Sequence, residues 1–222
     1  MRVSSKLFGG SHVSHLVDNN DRDNFIKHFF NETKIQLPEK NISNSVGLNS
    51  GNINKLSSGA IALAIPEDLS CYIYFTKFQD KNRCFIICRK LDEGHRYPKV
   101  LVMNVDVKDD TIFNGTLFEA TRVYSKGNRF FMLVNDCISM CGEDVRILKF
   151  LERLEKVCIF LSEKYTENFK KFPFRMQCVT PFDRLRLLEQ RIANLPYRIK
   201  NITFVSQNLS LIHISEPTRR RG

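Results

Sequence analysis

The run AIALAIPEDLSCYIYFTKFQDKNRCFIICR, residues 60–89, decides the fold class. Before it the chain is rich in Asn and Ser. From Ala60 onward, short runs dominated by β-branched and aromatic residues follow one another, each bounded by turn residues. AIALAI (60–65), CYIYFTK (71–77) and RCFIICR (83–89) read as strands. Further along, KVLVMNV (99–105), TIFNGTLFEATRVY (111–124) and RFFMLVND (129–136) continue the series, with Ser125-Lys126-Gly127-Asn128 as a hairpin connection. The period then changes. Ile147, Phe150, Leu151, Leu154, Val157, Cys158 and Leu161 recur at helical spacing. PFRMQCV (173–179) predicts a short strand, and Thr180-Pro181-Phe182-Asp183 a helix start with Thr180 as N-cap. Phe182, Leu185, Leu188, Ile192 and Leu195 form that helix's apolar stripe, and YRIKNITFVS (197–206) returns to strand.

Working back toward the N-terminus, residues 41–59 read as loop. Asn20-Asp21 opens a helix in which Phe25, Phe29 and Phe30 share a face. His12 and His15 lie in a polar stretch expected to be a solvated tail. Strands come mostly before helices and a tight hairpin is present, so the class is α+β, with mainly antiparallel sheets and flanking helices.

With 222 residues, 42% of them hydrophobic, the chain is long enough to bury one sizeable core and is not of disordered composition. No stretch of about 18 apolar residues occurs, so no membrane-spanning helix is expected. The N-terminus has no apolar stretch of the secretory kind. Seven cysteines, an odd number, then point to free thiols in a reducing, intracellular compartment. Cys84/Cys88 and Cys137/Cys141 have a C-x3-C spacing that invites zinc. Their apolar surroundings favour core cysteines.

The formal charge is +10. Residues 209–219, LSLIHISEPTR, look like the translation of a sequencing adapter, so the natural sequence is expected to be cut short near Asn208. Setting aside Arg219, Arg220, Arg221 and Glu216 takes three cations from 34 and one anion from 24, leaving +8. That charge still favours polyanionic partners. The expected division is a helix and polar lead-in over 1–58, a domain over 59–208 and the adapter-like tail over 209–222.

Four segments in order resemble the guanylyltransferase domain of mRNA-capping enzymes and, more distantly, polynucleotide ligases. SVGLNSGNINKL (45–56) leading to YFTKFQDKNR (74–83) is similar to the family's polar lead-in and its K-x-D-G-x-R strand. TIFNGTLFEA (111–120) is similar to the strand pair around D-G-E. FMLVNDCISMCGED (131–144) with FLERLE (150–155) resembles F-x-I-F-D, a Gly turn and a helix carrying Arg-Leu. IKNITFVSQN (199–208) resembles D-G-L-I-F. The match covers residues 41–208. The phrase AIPEDLSCYIYFTKFQDKNRCFI also resembles proteins of large nucleocytoplasmic DNA viruses, which would imply a host cytoplasm or viral factory and other viral proteins as partners.

The resemblance implies a lysine that attacks the α-phosphate of a nucleoside triphosphate, with Mg or Mn held by carboxylates. Lys77 is the candidate nucleophile, followed by Asp80 and Arg83. The family's Asp stands two residues after Lys; here it stands three after. In an extended chain one residue of slip reverses the face. If Asp80 and Arg83 hold their places, the nucleophile position falls on Phe78. The family Gly is Lys81. Asn114-Gly115-Thr116 replaces D-G-E, with Glu119 nearby. Asp136 keeps its place as a metal candidate, and Lys200-Asn201 replaces D-G.

Three altered motifs point to a domain that keeps a cleft and has lost the covalent step. Lys77, Lys81, Arg83, Lys200, Phe75, Phe78 and Phe131 would make that cleft basic and aromatic, fit for a nucleotide or an RNA end. Two other functions stand beside this one. An active nucleotidyltransferase requires Lys77 with a metal on Asp136 and Glu119. A protein-interaction subunit would show an exposed apolar patch and no basic cleft.

Overall fold

A computed structural model describes residues 1, 3–8, 11–37, 46, 47, 56, 59–124, 130–168, 173–206 and 213–217; 3–8, 11, 12, 46, 47 and 213–217 are described by backbone alone. The apolar run at 71–78 has no polar face because two layers cover it. Strand β5 (Ser70–Phe78) lies between β6 (Lys81–Cys88) and β8 (Asn114–Tyr124), antiparallel to both. Side chains alternate along a strand. Cys71, Ile73 and Phe75 enter the core on one face, and Tyr72, Tyr74 and Phe78 enter it on the other. The sheet extends through β7 (Val100–Met103) beside β6 and through β9 (Phe130–Met140) and β10 (Glu143–Asp144) beyond β8. Strand β11 (Phe174–Met176) pairs with β9 in parallel.

The polar N-terminal stretch is not a solvated tail. Val3–Phe8 (β1) and Ser11–Leu16 (β2) form a hairpin, and β2 pairs with β7 to complete a nine-stranded sheet. Val13 and Leu16 are buried there on opposite faces, and His15 is half-buried. Helix α1 (Asn19–Thr33) starts at an Asp18 cap whose carboxylate accepts from the amides of Asn20 and Asp21. It buries Phe25 and Phe29 against Tyr72, Tyr74 and Phe85, and leaves Phe30 exposed, which corrects the expected three-Phe face.

A second sheet of five strands is ordered β12 (Val179–Pro181), β4 (Ile61–Pro66), β13 (Ile199–Val205), β14 (His213–Pro217) and β3 (Val46–Gly47). Of the adapter-like tail, 213–217 is described, its backbone antiparallel to β13. Helix α2 (Phe150–Ile159), continued by a π turn at Phe160–Lys164, joins the two sheets. Val157 and Phe160 pack on the large sheet, while Phe150 and Leu154 pack on Ile61, Leu63 and Val205 of the small one. Ile147 lies outside the helix and is 88% exposed, so the expected stripe starts three residues early. Helix α3 (Leu185–Asn194) covers the other face of the small sheet through Leu188. Thr180 is not its N-cap: it pairs with Ala62 in β12, and its hydroxyl accepts from Arg191. Residues 110–113 are a 3-10 turn rather than strand.

The architecture is α+β with mostly antiparallel pairing. Among the described residues no helix is long and apolar enough to cross a membrane. The hairpin expected at Ser125-Lys126-Gly127-Asn128 lies outside the described residues. Cys71, Cys84, Cys88 and Cys137 are core residues, and burial raises their thiols, that of Cys88 to about 11.

Candidate functional site

The segment that carries the sequence-predicted nucleophile folds as a tight hairpin. Gln79 and Asp80 both have positive φ (51° and 58°), the pattern of a two-residue turn that matches strand twist, and Phe78 pairs directly with Lys81. Asp80 is thus a turn residue, suited to the left-handed region by its short polar side chain. Lys77, Lys81 and Asn82 are exposed; Phe78 and Phe75 are core. Alternation puts Lys77 on the face of Ile73 and Phe75. Arg83 lies opposite Thr76, with its Nε buried and without a hydrogen-bond partner among the described residues.

The carboxylates proposed for a metal lie elsewhere. Glu119 stands opposite Tyr72 on β5, five residues up the strand from Lys77, and its register partner on β9 is Asp136. At about 3.3 Å per residue, Glu119 and Lys77 are roughly 16 Å apart along the strand. Arg89 approaches Glu119 at 3.4 Å while lying over the Tyr72 ring. Asp136 is buried and held by a two-pronged bond from α2: Arg153 Nε donates to Oδ1 at 2.8 Å and Nη2 to Oδ2 at 2.7 Å. Burial works against the Arg153 charge, but the bond to Asp136 and its charge outweigh that and raise the guanidinium pKa. Each carboxylate therefore has its own arginine. Among the described residues no group of three or more His, Cys, Asp or Glu is placed to hold a metal ion. Glu119 and Asp136 are neighbours across β8 and β9, each tied to an arginine, and Lys77 does not converge with them.

Asn114 and Gly115 enter β8 beside the Cys141-Gly142 turn. There Ser139 donates its hydroxyl to the Gly115 carbonyl, and a Cβ on Gly142 would stand 2.9 Å from the Asn114 carbonyl oxygen. At the D-G-E position two stretches of backbone thus cross closely, beside a small cavity of about 110 Å³ lined by Gly115, Ser139 and Gly142.

A wide cleft lies at the other end of β5. It is about 830 Å³, formed by the Pro66–Asp68 turn between β4 and β5, the Val123-Tyr124 end of β8, and the Leu195–Ile199 connection into β13. The chain matches no protein-family model and no curated protein. The nucleotidyltransferase expectation therefore rests on its sequence motifs alone.

Two backbone bonds fix the cleft walls: Glu67 N donates to Arg198 O and Arg122 N to Leu69 O, both at 3.0 Å. Arg122 forks onto Asp68 Oδ1 at 2.9 and 3.2 Å and lies over the Tyr124 ring. Tyr197 stands edge-on to Phe131, 5.9 Å between centroids, and its half-buried hydroxyl has a raised pKa through desolvation. Of the sequence-predicted site residues, only Phe131 packs against the cleft lining, and Lys200 follows its Ile199 wall on β13. Lys77 stands seven residues beyond Ser70, roughly 23 Å along the strand. The Arg122–Asp68 pair cancels, leaving Arg198 and Glu67 as lining charges outside any ion pair among the described residues. The cleft is lined mainly by aliphatic and proline side chains, with Tyr124 and Tyr197 as its rings and Glu67, Asp68 and Arg198 as its charges.

Proposed function

We infer that the domain binds a nucleotide, free or at an RNA end, in the inter-sheet cleft without forming a covalent intermediate. The observation carrying this reading is the separation of the cleft from Lys77, together with the ion-paired state of Glu119 and Asp136. A volume of about 830 Å³ suits a nucleotide. The Tyr197 and Tyr124 rings offer stacking surface, Arg198 a phosphate partner, and Glu67 an acceptor for a base amino group.

The test is titration of GTP, ATP and a short 5′-triphosphate RNA across salt. Tyr197→Ala and Arg198→Ala are expected to weaken binding about tenfold each, while Lys77→Ala leaves it unchanged. Incubation with α-labelled GTP and Mn²⁺ is expected to leave no label after denaturation. Absence of binding at low salt overturns the reading, and label lost in Lys77→Ala would reinstate the enzyme.

A second reading, a protein-interaction subunit, is favoured by one observation. An apolar groove of about 480 Å³ runs along α3 beside Leu188, Ile192 and Leu195, with Leu187 41% exposed on its rim.

A further inference from the structure

A separate cavity of about 360 Å³ lies where β2, the start of α1 and the β6–β7 connection meet. Arg22, Arg96 and Lys99 line it with the imidazoles of His15 and His95; Asp92 is its one lining carboxylate. Tyr97 organises the group. Its hydroxyl donates to Asp23 Oδ1 at 2.7 Å, and its ring lies 6.0 Å from the Arg22 guanidinium carbon and 5.2 Å from that of Arg96. Arg22 Nε donates to the Leu16 carbonyl at 2.9 Å, which sets the fork's direction. Among the described residues no carboxylate lies within ion-pair distance of Arg22 or Arg96. The other nearby acids are engaged: Asp18 by the α1 amides and Asp23 by Tyr97. Two guanidiniums and an ammonium face a single lining carboxylate, so the cavity carries an excess of positive charge that a bound anion would offset. Their planar forks match phosphate oxygens.

We propose that this cavity binds a phosphate monoester. It has room for the phosphate and the sugar that carries it. The site stands on its own residues and is independent of the inter-sheet reading.

Calorimetric titration of the full chain with inorganic phosphate, with AMP, and with a short oligonucleotide bearing either a 5′-phosphate or a 5′-hydroxyl tests the proposal. Saturable binding of phosphate or AMP is expected. Arg96→Glu, an exposed position, should weaken it tenfold or more at unchanged melting temperature, and Arg22→Ala should weaken it similarly. Tyr197→Ala, in the other cleft, should leave phosphate affinity as it was, so the two readings fail separately. A 5′-phosphate preference that vanishes in Arg96→Glu assigns the phosphate to a polynucleotide end; AMP binding without that preference assigns it to a small molecule. Absence of phosphate and AMP binding, or full affinity in both arginine variants, overturns the proposal.

Discussion

The two ends of β5 differ in what closes over them. At the Phe78 end the strand turns straight back through Gln79-Asp80, and the polar side chains there are exposed or absorbed by the turn. At the Ser70 end a second sheet stands beside the first, and Pro66–Asp68, Tyr124 and Tyr197 enclose a cleft. One strand thus ends in a tight turn with exposed Lys77, Gln79 and Asp80 on one side and a concave cleft on the other. A side chain of the right type performs chemistry only where another layer excludes water and supplies partners.

The largest test removes the link between the layers. Asp136→Ala leaves Arg153 buried without its counter-ion on the helix that joins both sheets. Unfolding by urea is expected to show a loss of about 4 kcal/mol. A loss under 1 kcal/mol would mean that α2 is not held by this pair. Next comes the backbone crossing near the hairpin end. Gly142 has φ +88° with a carbonyl in the way, so Gly142→Ala should cost about 2 kcal/mol in the same measurement. A smaller effect of opposite sign sharpens the contrast. Asp80→Gly suits the second position of its turn and should stabilise by about 0.5 kcal/mol without changing nucleotide binding. Loss of binding would place Asp80 in a site after all.

The last test is pH. His28 on α1 bonds the Thr76 hydroxyl at 2.9 Å near the hairpin end, with Tyr74, Phe78 and Glu32 around it. Burial lowers its pKa from 6.5, and Glu32 opposes part of that. A base with a depressed folded pKa takes up its proton more readily when unfolded. Its contribution is therefore intact above pH 6.5 and falls as the pH drops below that value. Melting temperature followed from pH 7.5 to 5 should decline less steeply in His28→Asn than in the parent chain.

Legibility followed burial. Strands β5, β6, β8 and β9 were readable because layers on both faces demand unbroken apolar runs. The hairpin of β1 and β2 was not, since SHVSHL is mostly polar, and Val13 and Leu16 enter cores on opposite faces. The helix containing Leu154 and Val157 was found, but Ile147 misplaced its start because a periodic apolar residue need not be buried. At the site, Phe131 fell near the cleft through its pairing with Val123 and its packing on Tyr197, and Lys200 through its place three residues after Tyr197. The residues proposed to bind, Glu67, Tyr124, Tyr197 and Arg198, belong to turns and strand ends far apart in the chain. The one local signal for them was Pro beside charged or aromatic residues, in IPEDL and LPYR. The buried Asp136–Arg153 bond was foreshadowed only as two separate motif positions.

The chain's own pattern determined the α+β class, the strand-then-helix order, and a lysine three residues before an aspartate. Those are properties of periods and spacings, which act over a few residues. Tertiary structure decided which end of β5 meets the second sheet and which carboxylates face arginines. It also decided where the guanidiniums of Arg22 and Arg96 come together. Each depends on pairing between segments tens of residues apart, and no local period encodes that choice of partner.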